Sequence, residues 1–300
     1  MKDLVFYLVD VFATKMFSGN QLAVFPNASL LSNAEMQSIA NEMHFSETTF
    51  IVSDKRPKGG FNVKIFTPFT EVPFAGHPSL GTAYVIKNHI SDVDASEVLL
   101  NLKVGQIQVT FEKQGNHEIL WMKQIPPTFG RVFELQQFAN VLQINEEDFD
   151  KRYPIQSIST GLPFVIVPLK SLAAVRRARI NTNILLQMAN QIQGGILVFC
   201  PQTYRKNNDI NARVFVDLLG IPEDPATGSG NGCLAGYLSR YRYFGADKVQ
   251  ANVEQGYEIS RPSLLLLKAE KTISQIQVEV GGRVFLIAKG ELRSNRRVCY

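Results

Sequence analysis

Four polar side chains of this 300-residue sequence have the chemistry of a proton-transfer site. Glu47 and His77 supply a carboxylate and an imidazole from the first half of the chain. Asp224 and Ser229 supply a carboxylate and a hydroxyl from the second half. Taken singly, each residue is more often structural: a surface acid, a helix cap or a turn residue. Together they form a set that can move a proton on a small acid without a cofactor or a metal.

The segment DPATGSGNGCLAGY (224–237) predicts a tight turn followed by a helix that begins among the glycines. Bare backbone lets a phosphate, a carboxylate or another stretch of chain come close, and a helix N-terminus favours an anion. The glycine spacing matches neither the G-x-G-x-x-G fingerprint nor a P-loop, and no strand is expected to run directly into the turn, so we predict no nucleotide site. A glycine-rich helix cap without a ligand is the alternative.

A shorter version of this pattern occurs in the first half of the chain. VPFAGH (72–77) and DPATGS (224–229) share Pro-x-x-Gly followed by a polar side chain, and strands of similar composition, NVKIFTP and NARVFVD, precede them. The repeat predicts two related domains whose helix N-termini grip a small acidic substrate across a cleft. A chance match between two short segments is the alternative.

The composition is that of a soluble globular protein, with 45% hydrophobic and 19% charged residues. The three cysteines are scattered and the histidines lack zinc-ligand spacing, so we expect no disulfide, no metal, no cofactor and a cytoplasmic location. Asp3 and Asp10 interrupt the apolar N-terminal segment, which favours a strand over a signal peptide, and no membrane span is expected. The basic clusters are interpreted as solvated surface, without a nucleic-acid partner; they contain Arg176, Arg177, Arg179, Arg293, Arg296 and Arg297.

Irregularly alternating helices and strands favour an α+β fold as the scaffold for these residues. Ser32 and Glu35 form a capping-box pattern that predicts a helix from about Asn33 to His44, and another helix is expected near Pro78. Further strands are predicted at 45–52, 61–68, 97–103, 105–113, 119–123, 163–168, 195–200 and 285–292, and helices at 131–142, 171–178 and 182–192. The polar segment 114–117 predicts a domain boundary, with domains at 1–116 and 117–289 and the last strand, about 290–300, as a candidate to join the first domain.

Several long segments resemble, in order along essentially the whole chain, the motifs of the PhzF family, named for the phenazine-biosynthesis isomerase. They are DVFATKMFSGNQLAVF, NEMHFSETTFIV, FTPFTEVPFAGHPSLGTAYVI, STGLPFVIVPL, DPATGSGNGCLAGYL and EQGYEISRPSLL. The resemblance implies the diaminopimelate epimerase-like fold: two similar α+β domains, each with sheet strands wrapped around a central helix, and an active site in the interdomain cleft. It also implies a cofactor-independent isomerase of a small carboxylic acid and a homodimer.

The family's site residues are carried over by their motifs. Glu47 matches the acid/base glutamate of the SET segment, and His77 matches the histidine of GHP. Asp224 and Ser229 match the two polar residues of DPATGS. The positions implied to bind the substrate are Asn20, Gly76, Thr227 and Gly228.

Amino-acid epimerases of this fold use two cysteines, one per domain, and the matching positions here hold Ala75 and Thr227. Cys233 lies further along the helix and is interpreted as a core residue. A single carboxylic acid moving a proton along one face of the substrate is therefore expected.

Such an acid works best with a pKa near the working pH, which burial in an apolar cleft favours, and Phe45 and Phe50 flank Glu47 in the sequence. Whether His77 orients the substrate or shuttles the proton is left open. A catalytically silent module that binds a small acid or a partner protein is the alternative function.

Overall fold

A computed structural model describes residues 3–53, 59–90, 96–115 and 117–293. The chain divides into two compact units: Met1–Met122 with Gly282–Tyr300 forms unit 1, and Lys123–Gly281 forms unit 2. The boundary lies a few residues after the position suggested by the sequence. Arg296, Arg297 and Cys299 lie outside the described residues.

Among the described residues, the first part of the chain contributes eight strands and two α-helices. They are β1 (Leu4–Val11), β2 (Asn20–Phe25), α1 (Asn33–Met43), β3 (Glu47–Ile51), β4 (Phe61–Phe66), β5 (Glu71–Val72), α2 (Gly76–Val85), β6 (Glu97–Leu102), β7 (Gly105–Gln114) and β8 (His117–Lys123).

The rest of the chain, as far as residue 293, contributes ten strands and four α-helices. They are β9 (Thr128–Phe133), α3 (Leu135–Leu142), β10 (Ile155–Ser159), β11 (Pro163–Pro168), α4 (Leu172–Arg177), α5 (Thr182–Gln187), β12 (Gly195–Cys200), β13 (Ile210–Val216), β14 (Ile221–Asp224), α6 (Gly228–Arg240), β15 (Val249–Gln255), β16 (Ser263–Lys271), β17 (Ile276–Gly282) and β18 (Val284–Leu292).

Strand pairing follows the same order in both units. In unit 1, β2 is antiparallel to β1 and parallel to β3, β4 is antiparallel to β3 and β5 and parallel to β6, and β6 is antiparallel to β7. In unit 2, strands β10 to β16 repeat these relations one by one. A further antiparallel strand lies beside the first strand of each set, β18 beside β1 and β9 beside β10. The short sequence repeat therefore belongs to a repeat of the whole topology.

Each unit encloses one helix that is buried on nearly every side, α2 in unit 1 and α6 in unit 2. Strands β1, β2, β3, β6 and β7 contact α2, and β10, β11, β12, β15 and β16 contact α6. A Cβ atom at Gly236 would lie 2.8 Å from Cγ of Pro127, and one at Gly232 would lie 3.1 Å from Oε1 of Gln124. Close packing of α6 against Pro127 therefore requires glycine at position 236, and the side chain of Gln124 leaves little room at position 232.

Most of the predicted elements are confirmed. The capping box of Ser32 and Glu35 begins α1. The prediction of a helix over 131–142 is wrong at its start, because 128–133 forms β9, which pairs with β10, and α3 begins only at Leu135. The expectation that no strand runs into the glycine turn is also wrong, since β14 ends at Asp224.

The basic residues of α4 have a structural explanation. Arg176 and Arg177 lie in its last turn, where positive charge opposes the negative end of the helix dipole. Arg177 also forms an ion pair with Asp148, with 2.5 Å between Nη2 and Oδ1. Among the described residues, no helix has the length and apolar character needed to cross a membrane.

Candidate active site

Strand β3 and helix α2 bring Glu47 and His77 together in unit 1. Glu47 is the first residue of β3 and His77 the second residue of α2. Oε2 of Glu47 lies 3.5 Å from Nε2 of His77. A 2.9 Å hydrogen bond from the Thr82 hydroxyl to that of Thr49, two residues further along β3, fixes the helix against the same face of the strand. The sequence-based pairing of a carboxylate with an imidazole is thus present within one unit.

Burial and a buried amide determine the state of His77. The Nδ2 atom of Asn20 lies 3.2 Å from Nδ1 of His77. With the ring proton on Nε2, Nδ1 accepts from this amide and the N–H group faces Glu47. Burial lowers the pKa of His77 to about 3, against a hydrogen bond with the backbone of Gln21 that acts in the opposite direction. His77 is therefore a neutral imidazole near neutral pH, and its Nε2 edge lies against the carboxylate.

The lowered pKa of His77 predicts an acid-dependent loss of stability. A histidine in the unfolded chain takes up its proton near its ordinary pKa of 6.5, whereas His77 in the folded protein stays neutral down to about 3. The unfolded state binds more protons between these values, so the free energy of unfolding falls as pH drops through this window. We expect the protein to lose about 3 kcal/mol more than its His77→Asn variant between pH 7 and pH 4. Urea unfolding at both pH values measures this, and parallel losses in the two proteins would refute it.

The phenylalanines that flank Glu47 in the sequence do not surround its carboxylate. Phe50 is three residues from Glu47 and therefore lies on the opposite face of β3. It packs with Phe25 and Phe66 in the cluster beneath α1, against which Phe45 also packs. The expectation that these two residues provide the apolar surroundings of Glu47 is corrected, and His77 lies against its carboxylate.

In unit 2, the turn between β14 and α6 gathers the second set of polar residues. Asp224 is the last residue of β14, Thr227 is the N-cap of α6, and Ser229 is its second residue. All three are buried. The hydroxyl of Thr227 donates to Oδ2 of Asp224 over 2.5 Å. This hydroxyl forms no capping hydrogen bond with the helix.

The starts of α2 and α6 are equivalent in the two units. Ala75 and Thr227 are the N-cap residues, and neither side chain forms a capping hydrogen bond. Gly76 and Gly228 follow as the first helical residues; both are buried, and neither has a side chain beside the N–H groups of the first turn. These are the positions at which the resemblance implies that a substrate carboxylate binds.

The polar groups themselves differ between the units. In unit 2, β12 corresponds to β3 of unit 1. It has the sequence GILVFC and carries no carboxylate. The position of Asp224 in the repeat is held by Val72 in unit 1. The two units therefore do not supply two equivalent bases.

Neither described cysteine is suited to replace those bases. Cys233 is buried within α6, and burial raises the pKa of its thiol to about 11. Burial likewise raises the pKa of Cys200, to about 12. Both are thiols rather than thiolates at neutral pH, and Cys233 is the core residue that the sequence predicts.

The structure thus brings the predicted residues together in two sets. Asn20, Glu47 and His77 meet in unit 1, with Gly76 at the start of the same helix. The second set, in unit 2, comprises Asp224, Thr227, Gly228 and Ser229. Sequence reasoning missed two buried amides beside the second set, those of Gln255 and Asn231. Gln255 lies in the motif EQGYEISRPSLL, but the motif assigns no role to it.

Similarity to solved structures identifies the fold. A probable proline racemase from Agrobacterium radiobacter has a TM-score of 0.62 at 12% identity, covering 97% of this chain and 93% of its own. A PhzF-family protein of Bacillus anthracis has a TM-score of 0.90 at 26% identity, covering 98% of this chain and 100% of its own. The protein has the epimerase-like fold, the fold of racemases, epimerases and related isomerases.

Sequence comparison identifies the family. The family model described as phenazine biosynthesis-like protein (PhzC-PhzF) matches residues 9–290. The trans-2,3-dihydro-3-hydroxyanthranilate isomerase of Pseudomonas chlororaphis is 34% identical over 289 residues, covering 96% of this chain and 98% of its own. The chain belongs to the PhzF family of isomerases.

Proposed function

We propose that the protein isomerises a small carboxylic acid by moving one proton with Glu47, without a cofactor. Glu47 removes a proton from a carbon next to an unsaturated or carbonyl system. The carboxylic acid so formed returns the proton elsewhere on the same face of the substrate, which restores the carboxylate.

The contact between Glu47 and His77 is the observation that carries this proposal. The side chain of Glu47 is 17% exposed, whereas that of His77 is 4% exposed. Part of the Glu47 side chain is therefore exposed, whereas the imidazole is enclosed. Because the pKa of His77 is lowered to about 3 by burial, an imidazolium is not available near neutral pH. We therefore propose that neutral His77 orients Glu47 across their 3.5 Å contact rather than shuttling the proton, and that Asn20 holds the ring.

The residues of unit 2 are proposed to bind and orient the polar groups of the substrate. Asp224 accepts a hydrogen bond from Thr227 at Oδ2, which fixes the direction of its carboxylate toward a donor on the substrate. Ser229 offers a hydroxyl at the start of α6. The backbone N–H groups near Gly76 and Gly228 bind the substrate carboxylate. That both sets act on one substrate, in a cleft between domains, stays a prediction from the sequence.

The first substrate to test is trans-2,3-dihydro-3-hydroxyanthranilate, the compound in the names of the Pseudomonas relatives. It is a small cyclic acid with a carboxylate, an amine and a carbon–carbon double-bond system, as the proposed chemistry requires. We expect the purified protein to isomerise it, with product formation followed by NMR and by absorbance. If this compound is not consumed while Glu47-dependent proton exchange occurs with another small acid, the substrate assignment fails and the reaction class stands.

Binding without turnover is the competing function. A protein that binds small acids but exchanges no carbon-bound proton of any of them would be the silent module considered from the sequence. The homodimer, the cytoplasmic location and the absence of a nucleic-acid partner stay predictions from the sequence.

A further inference from the structure

Gln255, at the end of β15, is connected to the turn at the start of α6 through its whole amide group. Its Nε2 donates to the carbonyl of Asp224 over 2.8 Å and to the hydroxyl of Thr227 over 3.1 Å. Its Oε1 accepts from the N–H of Thr227 over 3.3 Å and from Nδ2 of Asn231 over 2.8 Å. The side chain is fully buried. The two donors and two acceptors of the amide are all used by residues 224–231.

The donor and the acceptor of each of these hydrogen bonds can be assigned. The carbonyl of Asp224 can only accept and the N–H of Thr227 can only donate, so the orientation of the Gln255 amide is determined. Because the Thr227 hydroxyl accepts from Gln255, its own proton is directed to Oδ2 of Asp224. The result is a chain from Gln255 through Thr227 to Asp224.

The residue after Gln255 supports the same turn. Gly256 has a φ of +77°, and a Cβ atom there would lie 2.6 Å from the carbonyl oxygen of Pro225 and 2.4 Å from that of Arg261. Any other residue would be strained and would displace Pro225. The end of β15 is thus shaped around the turn that carries Asp224.

We propose that Gln255 is a positioning residue of the active site, which sets the Asp224 carboxylate and the start of α6 by orienting the Thr227 hydroxyl. This inference rests on the proposed function for its effect on turnover. The expected effect of Gln255 on the turn at residues 224–231 is independent of the proposed function. Gln255 does not act on the substrate directly, because it is fully buried.

The test is Gln255→Glu, which keeps the shape of the side chain and makes its donors depend on pH. A protonated glutamic acid still donates one hydrogen bond, whereas the ionised form donates none and draws the Thr227 proton away from Asp224. We expect kcat near that of the parent at low pH and a loss of about 10²-fold once the new glutamate ionises. A loss of this magnitude is expected when a catalytic group is displaced by about 1 Å. The exchange rates of the backbone amides of residues 224–231, each compared with the parent at the same pH, should rise over this pH range.

The adjacent residue provides a matched control. Glu254 is also fully buried, and its carboxylate accepts from the N–H groups of Tyr204 and Arg205 and from the amides of Asn208 and Asn211. Glu254→Gln therefore disturbs an equally large network that holds a different loop. We expect faster exchange in 204–211 and an almost unchanged kcat.

The outcomes separate the two proposals. If Gln255→Glu speeds exchange in 224–231 but leaves kcat equal to that of the parent at every pH, Gln255 is only structural and the inference is overturned. Equal loss of kcat in Glu254→Gln would overturn it as well. If the parent itself turns over no substrate, the proposed function fails, and the pH-dependent exchange of 224–231 alone decides whether Gln255 orients the turn.

Discussion

Replacing Glu47 by glutamine should lower kcat by about 10²–10⁴-fold while the affinity for the substrate changes little. The amide has nearly the size of the carboxylate, so the packing of β3 against α2 is retained. Glutamine does not accept a carbon-bound proton, so the chemical step is lost. Steady-state kinetics together with calorimetric binding of the substrate measures both quantities.

Glu71→Gln is the matched control for this variant. Glu71 lies in β5 of the same unit, a few residues before His77, and is not part of the contact between Glu47 and His77. Its kcat should equal that of the parent. Full activity in Glu47→Gln would remove Glu47 from the mechanism and make ligand binding without turnover the better interpretation.

Asp224→Asn is the second change with a large expected effect. The amide oxygen of asparagine still accepts from the Thr227 hydroxyl, so the turn is retained, but the negative charge and its ability to accept a proton are lost. If Asp224 handles a proton or holds a cationic amine of the substrate, kcat/KM should fall by about 10²-fold or more. Steady-state kinetics with the same substrate measures the effect.

Asp217→Asn provides the comparison in unit 2. Asp217 follows β13 in the short 3₁₀ turn before β14, and burial raises the pKa of its carboxyl group. Loss of that carboxylate should change stability rather than kcat/KM. If both asparagine variants lose kcat/KM to the same extent, Asp224 has no specific role.

Local signals explain what the sequence predicts well. Ser32 and Glu35 are three residues apart, and their capping box begins α1 where expected. In contrast, β9 owes its existence to pairing with β10, more than twenty residues later in the chain. The residues next to β9 in the sequence do not indicate that β10 pairs with it. The local pattern therefore favours a helix where the structure has a strand.

In the site, too, some features follow from the local sequence and others depend on contacts between distant parts of the chain. Motifs point to Glu47 and His77, but their 3.5 Å contact depends on α2 packing against β3. The face occupied by Phe50 is predictable, because side chains of a strand alternate and residues three apart face opposite sides. The role proposed for Gln255 could not be predicted for a different reason. A buried glutamine in a strand has no distinctive spacing in the sequence, and the proposed role depends on its hydrogen bonds with residues 224–231.

Deuterium transfer to carbon tests the central claim most directly. The protein and its Glu47→Gln variant are incubated with trans-2,3-dihydro-3-hydroxyanthranilate in deuterated water, and the deuterium at each carbon is read by NMR. The parent should form an isomerised product that carries deuterium at the protonated carbon, whereas the variant should give neither product nor exchange. Deuterated product formed by Glu47→Gln at the rate of the parent would contradict the assignment of Glu47 as the group that moves the proton.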